Sequence, residues 1–134
     1  MKKIVSSGKI YTAKSRIKNS GRGVFANQNI KKGELIEKCP IIDIPESDMS
    51  NLNESILTTY FFYFGKNKER LAVALGFGSL YNHSHTPTAT YKIKYKEKVI
   101  DFIALRNIKK DSEITIGYNF GNPKHKSPLW FEIK

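Results

Sequence analysis

Three short stretches carry the polar groups of this chain that could do chemistry. They are Gly21-Arg22-Gly23, Asn82-His83-Ser84 and Glu113-Ile114-Thr115-Ile116-Gly117-Tyr118. The first can let backbone approach a ligand closely, because glycine has no Cβ. It is not a phosphate loop, since the further glycines and the Lys-Ser or Lys-Thr pair of that motif are missing. The second closes an apolar, glycine-punctuated run, Ala74-Leu75-Gly76-Phe77-Gly78-Ser79-Leu80-Tyr81. Placing Asn, His and Ser there costs free energy unless each finds a partner, so a core alone does not call for them. Asn82 offers a donor and an acceptor in one side chain. The third stretch ends in a phenol, whose ordinary pKa near 10 makes it a poor base and a better positioning group.

Other chemistries find little support. His83, His85, His125 and Cys39 are the imidazole and thiol groups of the chain, and their spacings match no common metal site. No metal is therefore expected. Serines are many, but no nucleophile elbow accompanies them. Cys39 is the sole cysteine, which rules out an internal disulfide and a thiolate zinc cluster. The sequon at Asn82-His83-Ser84 carries no weight without a secretion signal.

The elements that must position these residues read as short strands and turns. Gly, Asn and Pro punctuate the chain often and the apolar runs are brief. Strands are expected at Lys9–Ser15, Gly23–Ala26, Leu71–Leu75 and Ile114–Tyr118, with Leu35–Ile44 extended but interrupted by Pro40. Tyr91, Ile93 and Tyr95 alternate with Lys92, Lys94 and Lys96, a period of two with one wet face. That pattern predicts a hairpin of Thr88–Tyr95 with Val99–Leu105. Leu52–Phe64 is the best helix candidate, although its aromatic half is equally good strand material. Gly76–Ser84 is too glycine-rich for either element. Ile108 to Ser112 repeats the turn chemistry of residues 30 to 34.

Composition bounds the class. The chain has 134 residues, of which 40% are hydrophobic, enough for one domain with a real core. No apolar run is long enough to span a bilayer and the N-terminus lacks a signal-peptide stretch, so an intracellular, cytoplasmic protein with no membrane partner is expected. Net charge is +11, from 23 Lys and Arg against 12 Asp and Glu. Such a balance admits nucleic acid as an optional partner. The lysines are scattered rather than gathered, which is also how a solvated face looks.

In this order and spacing, the three stretches resemble the signature of the SET-domain protein lysine methyltransferases. Gly21-Arg22-Gly23-Val24-Phe25-Ala26 resembles the first motif of that family, and Asn29–Leu35 the turn and strand that follow. Tyr81-Asn82-His83-Ser84 with Pro87 is similar to its asparagine-histidine-serine motif. Asp111–Tyr118 is similar to the motif that ends in its tyrosine. The likeness covers about residues 9 to 119 and leaves a tail, 120–134, within a single SET domain spanning 1–134. It is nearest to the compact SET-only proteins of viruses and bacteria. Two departures occur: His85 stands where the motif often has cysteine, and Thr88 where it often has asparagine.

The resemblance implies a mainly β fold of the β-clip type, small sheets with a knot-like crossing where the Asn82 segment meets the one ending at Tyr118. It implies transfer of a methyl group from S-adenosylmethionine to a lysine of a protein substrate, a histone tail being the obvious candidate. A free lysine has a pKa of about 10.4 and must lose a proton before it attacks. A dry channel and a nearby positive charge both favour that loss. By the same resemblance, Tyr118 is the catalytic residue, orienting the amine. Gly21, Arg22, Gly23, Asn82 and His83 bind the cofactor, the Asn82 amide at its amino-acid end and the His83 segment on the adenine side. Tyr60 and Ile116 line the substrate channel. Apolar Ile116 is expected to permit more than one methyl addition. Trp130 and Phe131 could cover the site or anchor the tail.

A basic substrate sits awkwardly on a chain of this charge, and Asp43, Glu46 and Asp48 are the acidic groups that could offset it. The nucleus becomes the expected location if chromatin is the substrate, and a homodimer is compatible with the sequence. Two other readings stay open: a non-catalytic SET-like binding module, and a small basic nucleic-acid-binding β domain built on the Tyr91–Tyr95 hairpin.

Overall fold

The computed structural model describes residues 3–64 and 70–117. Nine strands form its framework: β1 Ile10–Lys14, β2 Arg22–Ala26, β3 Leu35–Ile44, β4 Phe61–Phe64, β5 Arg70–Ala74, β6 Asn82–His83, β7 Ala89–Lys94, β8 Val99–Ala104 and β9 Glu113–Ile116. Hydrogen bonds link eight of them in the order β1-β2-β9-β7-β8-β3-β5-β4, and β6 attaches to β9. The path breaks into small blocks, as expected of a mainly β chain with frequent turns.

The predicted hairpin is present as β7 and β8, paired antiparallel from Ala89↔Ala104 to Lys94↔Val99. Lys98 closes it at φ 55°, the left-handed value that a short hairpin loop needs at one residue. β8 lies between β7 and β3, so both its edges are paired, and its residues are almost all buried. Its one charge, Asp101, is held from both neighbouring strands, by Lys38 Nζ at 2.7 Å and Lys94 Nζ at 3.0 Å. Burial pushes the Asp101 carboxyl up, but the two ammonium groups outweigh it and hold the pKa below the ordinary range.

Pro40 does not interrupt β3. It stands where β3 leaves one partner for the next: residues 35 to 40 pair with β8 and residues 41 to 44 with β5. Its carbonyl still accepts from the Leu75 N–H at 2.9 Å, and at this handover a missing N–H is tolerated. Leu52–Phe64, the best helix candidate with an aromatic half equally suited to a strand, is corrected in its helical part. Helix α1 is only Met49–Asn53, a 3₁₀ turn covers Ile56–Thr59, and the aromatic half forms β4. Pairing of Phe61–Phe64 with β5 won over helical propensity, because it places Phe62 against Tyr91 and Phe102. The expectation for Gly76–Ser84 is also corrected at its end, where β6 pairs parallel with Thr115 and Ile116.

The main core gathers Val24, Ile30, Ile36, Cys39, Tyr81, Ile100, Phe102, Ile108, Ile114 and Ile116, among others. Phe102 is fully buried and stacks on Tyr81 with ring centroids 4.5 Å apart. Each such side chain stabilises the fold by about 1.5–3 kcal/mol. A second, smaller cluster of Ile44, Phe61 and Leu71 lies under Met49 and Leu52.

The two repeated turns meet. Ile30 and Ile108 exchange both backbone hydrogen bonds at 2.8 Å. The Lys110 N–H donates to Asn29 Oδ1 and the Lys32 N–H to Asn107 Oδ1, each at 2.9 Å. Gly33 N–H donates to Ala104 O and Asp111 N–H to Ala26 O. Residues 26–34 and 104–112 are thus related by a local two-fold. Gly33 and Asp111 occupy equivalent left-handed positions, φ 84° and 69°; glycine takes this conformation at no steric cost, and Asp is one of the few other residues to visit it.

Candidate cofactor and catalytic site

Asn82, Arg22 and Glu113 come together although they are far apart in sequence. Asn82 Nδ2 donates to Arg22 O at 3.1 Å and to Glu113 Oε2 at 3.0 Å. Two acceptors can be met only by the NH2 side of the amide, so the Asn82 orientation is determined. Its Oδ1 remains as an acceptor. The parallel pairing of β6 with β9 explains the meeting: Asn82 lies beside Thr115, and His83 beside Ile116.

Tyr81 holds this short strand down. Its ring is fully buried on Phe102, and its hydroxyl donates to Glu37 Oε1 at 2.8 Å. Glu37 is itself buried, and its other oxygen accepts the Phe77 N–H at 3.0 Å. Burial, then the Glu37 charge, push the Tyr81 phenol well above its ordinary pKa, so it stays a neutral donor. The Cys39 thiol is pushed up by the same two causes and is chemically quiet.

Glu113 is the hub that sequence reasoning quoted but gave no role. Its Oε1 accepts the Arg16 N–H at 3.1 Å, and both oxygens lie 2.9 Å from Ser15 Oγ. It therefore joins the β1–β2 link, the Gly21–Gly23 turn and β6. The available signal was a lone carboxylate opening an otherwise uncharged strand. Gly23 is buried against it: an added Cβ would lie 2.5 Å from Glu113 Oε2 and 3.1 Å from Asn82 Nδ2. Here glycine serves close packing. Gly21 turns the chain at φ 65° and Arg22 is exposed, engaged through its carbonyl.

His83 is half-buried and meets His85 edge-on, centroids 4.6 Å apart. Burial and then the His85 charge bring its pKa down to about 4, so it is neutral near pH 7. Ile116 is fully buried in the main core. Tyr60 is 39% exposed, between the Ile56–Thr59 turn and β4, and is not among the residues around Asn82. Tyr118, Trp130 and Phe131 lie outside the described residues, as does the chain through which a knot-like crossing would close. Among the described residues no group of His, Cys, Asp and Glu could hold a metal ion.

The acidic groups divide. Asp43 is engaged by Arg70 at 3.2 Å and Lys98 at 3.9 Å, whereas Glu46 and Asp48 are exposed ahead of α1. The lysine-studded hairpin offers little as a stacking platform. Tyr91 packs inward on Phe62 and Phe102, and Lys94 is committed to Asp101.

The arrangement can take a cationic, amine-bearing ligand. The Asn82 oxygen and the adjoining Glu113 carboxylate are the acceptors, and the exposed Gly21–Arg22 turn forms one edge.

Comparison with known proteins supports one family. A model of the SET domain matches residues 21–119. The chain is 31% identical over 113 residues to a histone-lysine N-methyltransferase of Schizosaccharomyces pombe specific for H3 lysine-37, covering 84% of this chain and 71% of that protein. Among solved structures it resembles a candidate histone methyltransferase of Plasmodium falciparum, with TM-score 0.65 and 36% identity over 87% of this chain and 96% of that one. Polycomb Repressive Complex 2 of Chaetomium thermophilum, solved with S-adenosylmethionine, shares the fold at TM-score 0.73 and 21% identity, over 90% of this chain and 16% of that one.

Proposed function

This chain belongs to the SET-domain family, and from that premise we propose that the junction of Gly21–Gly23, Asn82 and Glu113 receives the amino-acid end of S-adenosylmethionine. The protein is an S-adenosylmethionine-dependent protein-lysine methyltransferase with a mainly β SET fold. The observation that carries the site assignment is the double donation of Asn82 Nδ2 to Arg22 O and Glu113 Oε2. It adds one detail to the sequence-based expectation, which left open the end of the amide that faces the cofactor. The amide NH2 is used within the protein, so Asn82 Oδ1 meets the ammonium of the cofactor and Glu113 supplies negative potential behind it.

The bound cofactor supplies an electrophilic methyl group. The protein supplies position and charge. Tyr81, pinned by Glu37, keeps β6 in register, and β6 keeps Asn82 over the Gly21–Gly23 turn. Neutral His83 adds no positive charge beside a cationic ligand. Tyr118 follows β9 by one glycine, and its hydroxyl orients the acceptor amine. Tyr60 contributes to the channel on the substrate side.

A histone is the proposed substrate, on the strength of the Schizosaccharomyces pombe and Plasmodium falciparum relatives. Exposed Glu46 and Asp48 offer a basic tail local compensation against the overall charge. The test is incubation with labelled S-adenosylmethionine and separate histone and non-histone pools. Label on histone lysines is expected. Label confined to other proteins would remove the histone assignment, and no label with any pool would remove the activity.

A further inference from the structure

The two Asn-Ile-Lys-Lys turns create a feature that no single stretch of sequence contains. Ile30 and Ile108 are both buried, 1% and 3% exposed, and face the core. Neighbours of an inward residue in an extended pair project the other way. Lys31 and Lys109 accordingly lie on the outer side, Lys32 and Lys110 follow them in the turns, all four are exposed, and Arg106 is exposed beside them. Cα atoms of a pair exchanging both hydrogen bonds lie about 5.5 Å apart, so Lys31 and Lys109 have Cα atoms within roughly 13 Å of each other. The acidic groups nearby are largely engaged. Glu34 pairs with Lys9 at 2.8 Å, and Asp111 accepts from the Tyr11 hydroxyl at 2.8 Å.

We propose that this two-fold lysine patch is a binding surface for the phosphate backbone of duplex nucleic acid. Three observations select that partner over an acidic protein. The patch is built from Asn27, Gln28, Asn29, Asn107 and the lysines, with no apolar centre. Protein interfaces are depleted in lysine and place aromatic or apolar residues at their core, whereas phosphate contacts are supplied by lysine and asparagine without either. The backbone of the patch is fixed by reciprocal hydrogen bonds, so the cations are presented by a rigid frame. Two cationic turns related by a two-fold also suit two antiparallel strands that are themselves two-fold related. Contacts confined to phosphate carry no sequence preference. The patch uses none of the residues of the cofactor site, and the inference stands whether or not the histone assignment does.

The test is fluorescence anisotropy of a short labelled duplex against the full chain over a range of salt. Each phosphate neutralised contributes about −0.9 to the slope of log K against log salt. The quadruple variant Lys31→Gln, Lys32→Gln, Lys109→Gln, Lys110→Gln is expected to lose about tenfold or more in affinity at low salt and to flatten the slope by about 3. The matching lysine-to-arginine variant should keep both, and Lys92→Gln with Lys96→Gln on the hairpin should change little. Circular dichroism checks that each variant is folded; if the quadruple is not, the Lys31→Gln, Lys32→Gln pair alone should give half the change in slope. The proposal is overturned if the folded variant keeps wild-type affinity and slope, if the hairpin variant loses as much, or if wild type does not bind. An acidic peptide of equal charge that displaces the duplex from wild type at equal concentration would overturn it in favour of a protein partner.

Discussion

Asn82 Nδ2 and Glu113 Oε2 lie 3.0 Å apart, joining the start of β6 to the start of β9 across 31 residues of sequence. The bond does two things at once. It determines which end of the Asn82 amide faces outward, and it places a carboxylate behind the group expected to meet a cationic cofactor. Glu113 makes the same commitment to Ser15 and Arg16. The result is a carboxylate-centred junction of three chain segments, and the groups proposed to bind the cofactor belong to it.

Glu113→Gln should weaken cofactor binding more than it weakens the fold. An amide retains one acceptor oxygen and cannot serve both Asn82 Nδ2 and Arg16 N–H, so one donor is left facing an NH2 group. Hydrogen bonds to charged groups contribute about 1.5–3 kcal/mol, which corresponds to at least tenfold in affinity. Calorimetry with the demethylated cofactor product measures this, with Asn82→Ala as a second variant. The two losses should be non-additive in the double variant; full additivity would show that Glu113 does not act through Asn82.

Gly23→Ala should act on the same junction by volume. Its Cβ would arrive 2.5 Å from Glu113 Oε2, and one of the two must move. Overpacking of this kind costs about 1–3 kcal/mol. A lowered melting temperature together with weaker cofactor binding is expected; unchanged values for both would show that the neighbouring backbone yields without cost.

Tyr81→Phe tests the anchor under β6. The ring and its stacking on Phe102 are kept, but the buried Glu37 carboxylate loses the hydroxyl 2.8 Å away. Leaving such a group short of a donor costs about 1–3 kcal/mol, more for a charge. Urea denaturation should show that loss with an unchanged slope.

Tyr118→Phe should fold as wild type and lose most of its turnover. Removing one positioned hydroxyl at a centre of developing charge costs about a hundredfold in kcat. Single-turnover methylation of a substrate peptide decides it, and activity within about twofold of wild type would mean that another group orients the amine.

Protonation of His83 should oppose folding in mild acid. Its pKa is about 4 in the folded protein and about 6.5 in an unfolded chain, so between those values the unfolded state binds the extra proton. Stability is therefore undiminished by His83 above about pH 6.5 and declines as pH falls toward 4. In His83→Gln this component should vanish. Denaturation midpoints of the two proteins across that window provide the comparison, and parallel pH profiles would remove His83 as the cause.

How much of this was legible beforehand depends on the range of the interactions. The β7–β8 hairpin was readable because its signal is local: apolar and lysine residues alternate at the period of a strand, and four residues close the loop. The polar motifs were readable as types in an order, and their likeness to one family supplied fold and reaction class. Phe61–Phe64 could not be decided locally, since its residues suit a helix or a strand and only pairing with β5 settles the matter. Glu113 was visible as a charge but not as a hub, because its partners lie 31 and 98 residues away. The same holds for Glu37 and Tyr81, separated by 44 residues. The lysines looked scattered because they are scattered along the chain. Folding set Ile30 against Ile108 and gathered four of them on one surface. Periodicity and motif order are written in neighbouring residues and can be read there; which carboxylate meets which amide, and which charges become neighbours, follows from strand pairing across the whole chain.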